Sequence, residues 1–543
     1  MTRPTDQTAA RGRRRRPPLL LAWLALVAVG AALLLAGARF GSREERQGLS
    51  VSGMKRVGAA LLAWAAPAAA SPAQASPPAP PTVIGINPAE IRYYSTTVPF
   101  ANLVVGSGWL SSRWEGLPAE HVGRGGVLRS LPADNVAYRF LLVPPTGPEG
   151  FEVRCTFAGS GTLTAAGLTG PARPGPHSLT FRLVNERGKQ PRPWLVARDV
   201  KASDPLRDLD CRDTRVPAAA RFRPEFLATL RGFGVVRFMD WQSANANGAV
   251  AWRDRTTPTD IDLGLDGVSI EDMLALTREL RADPWFVMPW NADDDYIGRF
   301  ARMVREQLPP GRHVYVEVGN EVWNGGFPVG RQAVQEGLAR KLGADGHQAG
   351  LRRYAERTVA AMRLWEGAFA GRPGLVRVLS TQHAWPETAR IALGWRDTAQ
   401  HVDALATAPY FGDVMGGTGN TRDSALAAMA ASMAKTMDLV TENRSVAASF
   451  GKRYIAYEGG QGLVLPAQVE LAKQLQHDPA MYDLYRRFLS EWGRRAGDLF
   501  CHYSSVNQPT PSGSWGLAAW EDETLADAPK LRAVRESLGA GRP

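Results

Sequence analysis

The sequence has few of the residues from which small metal-binding or disulfide-linked modules are built. It contains three cysteines and eight histidines among 543 residues. Neither Cys-x-x-Cys nor His-Glu-x-x-His occurs in it, so we expect no cysteine-based cluster, no dedicated zinc site and no cofactor. A Gly-x-Ser-x-Gly elbow is also missing, and the glycines of residues 412–419 lack the Lys-Ser/Thr of a phosphate-binding loop. These absences exclude several common classes of reaction centre.

The composition is otherwise that of a folded protein with a basic net charge. Hydrophobic residues make up 44% of the chain and charged residues 22%, with 16 tryptophans, which excludes a disordered or fibrous chain. The net charge of +11 first suggests a nucleic acid or an anionic surface as the partner. The position of that charge along the chain tests this suggestion.

Residues 1–80 have the features of a leader. Arg11 and four arginines from Arg13 precede an apolar run of 22 residues, 17–38, which is long enough to cross a bilayer with a cytoplasmic N-terminus. A second segment, 54–75, has the basic start, apolar centre and Ala-x-Ala end of a signal peptide. The Pro-rich residues 76–81 then form an extended spacer.

Two interpretations of this leader stay open. Translation could start at Met54, so that residues 1–53 are not part of the protein, or residues 17–38 could tether the protein to the inner membrane. Both interpretations predict that the rest of the chain is exported, to the periplasm or out of the cell.

The leader carries most of the net charge. Residues 1–75 contain 11 lysines and arginines but three acidic residues, a net charge of +8 that leaves +3 for the other 468 residues. The exported part is therefore nearly neutral, and we expect no nucleic-acid partner.

The segment 112–212 has the pattern of a small β-rich domain. Short β-like runs alternate with Gly/Pro turns at residues 137–143, 151–157, 161–165, 177–184 and 194–200. This spacing predicts an inserted antiparallel β-sandwich. Cys155 and Cys211 lie in or beside it, and they could form a disulfide in an oxidising compartment or remain two buried thiols. Cys501 lies in an apolar strand and is expected in the core.

The rest of the chain alternates strands with helices. The predicted strands are residues 83–87, 234–238, 284–289, 313–318, 375–381, 403–408, 454–457 and 499–504. Most are continuous apolar runs, as expected for parallel strands covered by helices. Eight such units predict an α/β fold, a (β/α)8 TIM barrel. The barrel would comprise residues 82–111 and 213–543, with 112–212 inserted between its first and second strands.

Two helix starts carry acidic residues. Ser269 and Asp272 are placed as a capping box before the predicted helix 270–281. Asp293-Asp294-Asp295 precede the predicted helix 296–308. These three acids could bind a cation, but a helix N-terminus equally favours acidic residues.

Two glutamates follow predicted strands at the barrel end where catalytic residues lie. Glu321 follows strand four and Glu458 follows strand seven, and these strands face each other across the barrel. Two carboxyls so placed can flank a glycosidic bond, one protonated and one ionised. A separation of about 5–5.5 Å would allow direct attack with retention of configuration. Either glutamate alone would be read as a surface loop residue.

Three segments resemble the clan A glycoside hydrolases. They are Val236-Arg237-Phe238-Met239-Asp240-Trp241, Asn320-Glu321-Val322-Trp323-Asn324 and Tyr457-Glu458-Gly459-Gly460-Gln461. They also look like a group of exported bacterial proteins labelled as cellulose-binding or hydrolase-like. The resemblance implies a barrel with Glu321 as acid/base and Glu458 as nucleophile, and it implies no substrate.

Six further residues are candidates for binding a sugar, and some of them have a structural alternative. Asn320 could bind a 2-hydroxyl, and Arg237 could lower the pKa of Glu458 or pair with Glu317 inside the barrel. Tyr410 could hydrogen-bond Glu458, as the resemblance implies, or pack in the core. Trp515 could form a sugar platform, and Trp241 and Trp290 also lie at strand ends.

Three smaller features complete the predicted site. His383 and His502 could tune its protonation, but lone histidines are more often ordinary hydrogen-bonded residues. Gly459 and Gly460 would leave space for a ligand beside Glu458.

These observations predict an exported retaining β-glycosidase that hydrolyses a polysaccharide or oligosaccharide. The alternatives are a non-catalytic, cellulose-like carbohydrate-binding protein and a membrane-tethered accessory factor for an exported polysaccharide. Each of the three takes a carbohydrate as its partner.

Overall fold

The computed structural model describes residues 83–540, except 169, 187–191, 247 and 249. The predictions for the leader, including the apolar run 17–38 and the signal-peptide-like segment 54–75, lie outside these residues. None of the helices within the described part of the chain combines the length and apolarity needed to cross a bilayer.

The described residues form strands and helices that alternate after residue 222. The strands are β1 Ile84–Asn87, β2 Ala137–Phe140, β3 Phe151–Ala158, β4 Thr162–Ala166, β5 Arg173–Gly175, β6 Ser178–Leu183, β7 Trp194–Arg198, β8 Arg207–Asp213, β9 Val235–Arg237, β10 Asp283–Met288, β11 Val314–Val318, β12 Leu375–Ser380, β13 Ala404–Thr407, β14 Tyr410–Phe411, β15 Arg453–Ala456, β16 Gly460–Gln461 and β17 Phe500–Tyr503. The helices are α1 Pro224–Leu230, α2 Leu263–Asp266, α3 Ile270–Leu280, α4 Asp294–Gln307, α5 Pro328–Ala339, α6 Gly346–Phe369, α7 Glu387–Leu393, α8 Arg422–Ser449, α9 Val469–Gln476, α10 Ala480–Arg495 and α11 Pro529–Ala540.

Eight parallel strands close into a barrel. Their order is β1-β17-β15-β13-β12-β11-β10-β9, and β9 pairs with β1 to close it. The predicted TIM barrel is therefore confirmed, and each barrel strand overlaps one of the eight predicted runs. The strands are shorter than several of those runs because the backbone hydrogen-bond ladder ends before the apolar pattern does.

Side chains fill both the inside and the outside of the barrel wall. The interior holds a separate apolar cluster that includes Val235, Trp285, Val378, Ile455 and Cys501. The helices pack on the outer face through a larger apolar core. Burial on both faces explains why the strands are continuous apolar runs.

Side chains cap both of these helix starts. The Ser269 hydroxyl accepts a hydrogen bond from the Asp272 amide at 3.0 Å and so caps α3. The Asp272 carboxylate accepts from this same hydroxyl at 2.7 Å and not from the Ser269 amide, so the predicted capping box forms in one direction only. Asp293 caps α4 by accepting from the Tyr296 amide at 2.7 Å. Among the described residues, no group of acidic, histidine and cysteine side chains could hold a metal ion. Asp293 thus serves the start of the helix, and Asp295 pairs with Arg299 at 2.9 Å.

Seven antiparallel strands lie between β1 and β9. They form a three-stranded sheet, β2-β7-β4, and a four-stranded sheet, β5-β6-β3-β8. Cys155 and Cys211 are directly opposite each other on β3 and β8 and form a disulfide, so the two are paired. Cys501 is a free, buried thiol, as expected.

The inserted sheets are tied to the barrel through a buried arginine. Arg139 on β2 lies fully buried, with Nη1 at 2.8 Å from the Asp262 carboxylate. Its Nε donates to the Val104 carbonyl at 2.9 Å and its Nη2 to the Ile261 carbonyl at 2.6 Å. A buried guanidinium is costly unless such partners surround it. Arg139 therefore holds the sheet against the loops around α2.

Candidate active site

Arg237 lies at the centre of a polar cluster at the C-terminal end of the barrel. It is the last residue of β9 and is 0% exposed. Its Nε donates to Glu317 at 2.6 Å, and its Nη1 donates to both Glu458 and Asn87 at 3.1 Å. Its Nη2 donates to Asn320 at 2.9 Å. The guanidinium thus contacts both glutamates that the sequence offers as alternative partners, and it joins the ends of four strands.

Glu458 is held between a cation and a phenol. One carboxylate oxygen accepts from Arg237, and the other accepts from the Tyr410 hydroxyl at 3.1 Å. Tyr410 is placed by pairing of β14 with β16, where it lies opposite Gly460. The two hydrogen bonds orient the carboxylate and stabilise its ionised form.

The two glycines after Glu458 do not open space for a ligand, contrary to expectation. A Cβ on Gly459 would lie 3.0 Å from both the Pro409 carbonyl and the Phe500 ring. A Cβ on Gly460 would lie 3.2 Å from the Tyr485 hydroxyl. Protein atoms fill this space, so the glycines permit close packing of the backbone behind Glu458.

Glu321 receives hydrogen bonds from neutral groups. The Tyr457 hydroxyl donates to it at 2.9 Å, and the Asn324 amide donates to its other oxygen at 2.9 Å. Glu321 has a backbone φ of +48°, in the left-handed region. This conformation is uncommon for a residue with a side chain, and such residues cluster at functional sites.

Burial raises the pKa of both carboxyls. It raises the pKa of Glu458 to about 8, while Arg237 opposes the rise and the charge of Glu321 adds to it. It also raises the pKa of Glu321, against the hydrogen bonds from Asn324 and Tyr457. Arg237 hydrogen-bonds Glu458, whereas the hydrogen bonds to Glu321 come from neutral groups. The arginine therefore favours ionisation of Glu458 over that of Glu321.

Several polar residues around this pair were not singled out by the sequence pattern. Asn87 ends β1, and its amide donates to the carbonyls of Tyr457 and His502 at 3.1 and 3.0 Å. Asp240 follows β9; burial raises its pKa to about 7, and the charge of Glu90 contributes. Asn87 had one usable signal, since it is a polar residue that ends an apolar strand at the same end of the barrel as Glu321.

The predicted aromatic residues divide into two groups. Trp515 is half-buried beside Tyr503, with ring centroids 5.8 Å apart, at the end of β17. Trp241 is 1% exposed and donates to the Ala89 carbonyl. Trp290 is 4% exposed and donates to Glu336. The structure therefore places Trp241 and Trp290 among core side chains, where they present little surface to a ligand.

Both candidate histidines are buried, and among the described residues only His383 of the two has hydrogen-bond partners for its ring. His383 bonds the Thr407 hydroxyl and the Thr436 carbonyl, and burial lowers its pKa to about 4. Burial lowers the pKa of His502 to about 3. No hydrogen bond joins either ring to Glu321 or Glu458, both of which are described.

Comparisons with known proteins give no family assignment. No protein-family model matches the chain, and no curated protein matches it. Similar solved structures include a GH51 arabinofuranosidase from Xanthomonas axonopodis pv. citri, with 12% identity and a TM-score of 0.37 over 54% of this chain and 62% of that one. A 4-O-alpha-L-rhamnosyl-beta-D-glucuronidase from Fusarium oxysporum 12S has 11% identity and a TM-score of 0.37 over 57% and 63%.

A family 1 β-glucosidase from Thermotoga maritima has 10% identity and a TM-score of 0.35 over 58% of this chain and 85% of that one. The chain covers less than two thirds of the first two proteins, at 62% and 63% of their lengths. The fold assignment comes from the strand order of this chain itself.

Proposed function

We propose that this protein is a retaining β-glycosidase that hydrolyses a polysaccharide or oligosaccharide. The observation that carries the proposal is the asymmetric pair of carboxyls, of which Glu458 is buried and Glu321 partly buried. Glu458 accepts a hydrogen bond from a cation, whereas Glu321 accepts hydrogen bonds from an amide and a phenol. One carboxyl can therefore attack while the other holds a proton, at the ends of opposite strands.

In the first step, an oxygen of Glu458 attacks the anomeric carbon of the bound sugar. The glycosidic bond breaks, and Glu321 transfers its proton to the leaving oxygen, so that the first product leaves as a neutral alcohol. A covalent glycosyl ester on Glu458 remains. Glu321, now ionised, takes a proton from water, whose oxygen displaces Glu458 and restores both carboxyls.

The surrounding residues position these groups. Arg237 and Tyr410 orient Glu458 and hold its charge. Asn320 accepts from Arg237 and donates one amide hydrogen to Asn245 at 3.0 Å. Its second amide hydrogen is available for a sugar 2-hydroxyl, where hydrogen bonds strengthen in the transition state. Trp515, whose ring centroid lies 5.8 Å from that of Tyr503 at the end of β17, is the aromatic candidate for a sugar platform.

Export is part of the proposal. The Cys155–Cys211 disulfide supports it because disulfides persist in oxidising compartments. The leader-like features of residues 1–80 support the same location, whether they are removed or tether the chain to the inner membrane.

Replacement of each carboxyl by an amide tests the assignment. We expect Glu458→Gln and Glu321→Gln each to lower kcat on a glycan substrate at least about a hundredfold. Glu321→Gln should retain more activity on an aryl glycoside with an acidic phenol, because that leaving group needs no proton. Glu306→Gln, on the exposed face of α4, is the matched control.

Proton NMR of the first-formed sugar checks the stereochemistry, and the β anomer is expected. If neither amide variant loses activity, the two glutamates are not the catalytic pair. If the wild type binds glycans but hydrolyses none across a broad panel, the protein is a non-catalytic binder.

A further inference from the structure

The outer face of the three-stranded inserted sheet is aromatic. Along β2, Ala137 and Arg139 are buried, while Tyr138 and Phe140 alternate with them and are partly exposed. Trp194 on β7 lies directly opposite Phe140. Because the side-chain period of a strand is two, these rings share one face of the sheet, away from the buried Arg139.

Trp114 covers part of this face and keeps nearly half its surface in solvent. Its ring centroid lies 5.3 Å from Phe140 and 5.1 Å from Tyr138, and it meets Trp194 edge-on at 5.4 Å. It is nevertheless 49% exposed and has a backbone φ of +60°. A left-handed conformation is a genuine outlier for a bulky residue, and here it presents an indole to water.

Two tyrosines extend the aromatic face toward the barrel. Tyr93 stacks on Phe140 at 4.3 Å, and Tyr94 meets Tyr93 edge-on at 5.2 Å while remaining 52% exposed. We call Tyr93, Tyr94, Trp114, Phe140 and Trp194 the aromatic surface. Large exposed rings gathered in one place mark a binding surface.

The aromatic surface extends onto a loop of the barrel. Tyr93 and Tyr94 lie in the loop after β1, at the barrel end that carries Glu458. The Tyr94 hydroxyl is 3.5 Å from Glu90 in the same loop. The aromatic surface thus runs from the inserted sheet to the end of the barrel at which the two glutamates lie.

We propose that the aromatic surface binds further sugar units of a neutral polysaccharide whose cleavage site lies between Glu321 and Glu458. Aromatic faces bury the apolar faces of sugar rings, and polar groups at the ring edges can meet their hydroxyls. Glu90 and Arg92 pair with each other at 3.1 Å beside Tyr94, so their charges offset each other there and do not select a charged chain. This inference rests on the proposed function, and it assigns a long chain as the substrate.

Binding tests the surface separately from catalysis. The probes are hydroxyethyl cellulose, mixed-linkage β-glucan, xylan and galactomannan, each cast in a native gel with the full chain carrying Glu458→Gln. At least one probe should retard this protein. Adding Trp114→Ala or Tyr94→Ala should weaken that affinity about tenfold. Leu338→Ala on α5, where the leucine is 46% exposed, should change nothing.

Kinetics supply the second readout. Trp114→Ala should lower kcat/KM on the retarding polymer about tenfold and leave kcat/KM on a small aryl β-glycoside unchanged. Equal losses on both substrates, or no loss on the polymer, would overturn the inference. The inference would also be overturned if none of the four probes retarded the protein. A concentration-dependent dimer that Trp114→Ala dissociates would overturn it too.

The two proposals can fail independently. Retardation that depends on Trp114, without hydrolysis by the wild type, would remove the enzyme assignment and leave the binding surface. Hydrolysis that depends on Glu458, with retardation unaffected by Trp114→Ala, would remove the binding surface and leave the enzyme assignment.

Discussion

A single guanidinium organises the candidate site. Arg237 ends β9 and donates to two glutamates and two asparagines at the ends of three other strands, β1, β11 and β15. A lysine has a compact ammonium and lacks the planar fork that reaches such separated acceptors. Burying a carboxylate without a nearby cation costs free energy. Arg237 reduces this cost for Glu458, and its hydrogen bond fixes the orientation of the carboxylate.

Tyr457 connects the two carboxyls although it precedes only one of them in sequence. Its hydroxyl donates to Glu321, 136 residues away, and its ring lies 4.8 Å from the Arg237 guanidinium. The hydrogen bond favours ionised Glu321, so it lowers a pKa that burial raises.

We expect Tyr457→Phe to move the alkaline limb of the pH profile to higher pH. Without the hydroxyl, ionised Glu321 is less stable, its pKa rises further, and the acid stays protonated at a higher pH. The measurement is kcat/KM against pH on an aryl glycoside. Tyr454→Phe removes a buried hydroxyl that bonds Thr407 instead, and it should leave the limb in place. A shift of the alkaline limb to lower pH in Tyr457→Phe would contradict the assignment of Glu321 as the acid.

At the scale of elements, the inserted strands place one face against the barrel and leave the other to solvent. Arg139 holds the inner side of β2, while the alternating side chains of that strand expose aromatic rings on the outer side. The Cys155–Cys211 link closes a loop with a sequence separation of 56, and it joins neighbouring strands β3 and β8.

Removal of both disulfide cysteines should weaken the insertion and spare the chemistry. For Cys155→Ser with Cys211→Ser, the free energy of unfolding should fall by about 2–4 kcal/mol, because the unfolded chain regains loop entropy. Urea denaturation measures this loss. Dithiothreitol should lower the stability of the wild type and leave the double variant unchanged. Equal stability of both proteins without reductant would show that the link contributes nothing.

At the scale of the whole molecule, a buried glutamate joins the two ends of the barrel sequence. Glu521 lies after the last strand, accepts from the Val98 amide at 2.7 Å and lies 3.7 Å from Arg223. Burial raises its pKa to about 7, although Arg223 opposes the rise. Its neighbours follow β1 and precede β9, so it holds the segment that flanks the insertion.

The pH dependence of stability should reveal this carboxyl. The folded pKa of about 7 exceeds the ordinary value of 4.5, so the folded state binds more protons between these values and its stability falls as pH rises through them. Glu521→Gln does not titrate. The free energy of unfolding of the variant minus that of the wild type should therefore increase from pH 5 to about pH 7. Urea midpoints across this range measure it, and a difference that shrinks would contradict the raised pKa.

The sequence by itself was sufficient for the barrel and for the two glutamates. Continuous apolar runs such as residues 285–288 require burial on both faces, and eight strands separated by helices admit few other folds. The placement of Glu321 and Glu458 at the same end of the barrel follows directly from the order of these strands. The capping of α3 was predictable for a similar reason, because Ser269 and Asp272 interact within one turn.

Only the tertiary structure decided which side chains meet. Trp241 and Trp290 lie at strand ends like the true mouth residues, yet their rings point into the core. Gly459 and Gly460 make room for protein atoms, and Arg237 serves both of its alternative partners. The spacing of hydrophobic residues along the chain determines which segments form strands or helices and which faces are buried. That spacing can be read from the sequence. Contacts across the barrel depend on register, closure and side-chain direction, which arise only when all eight strands are assembled.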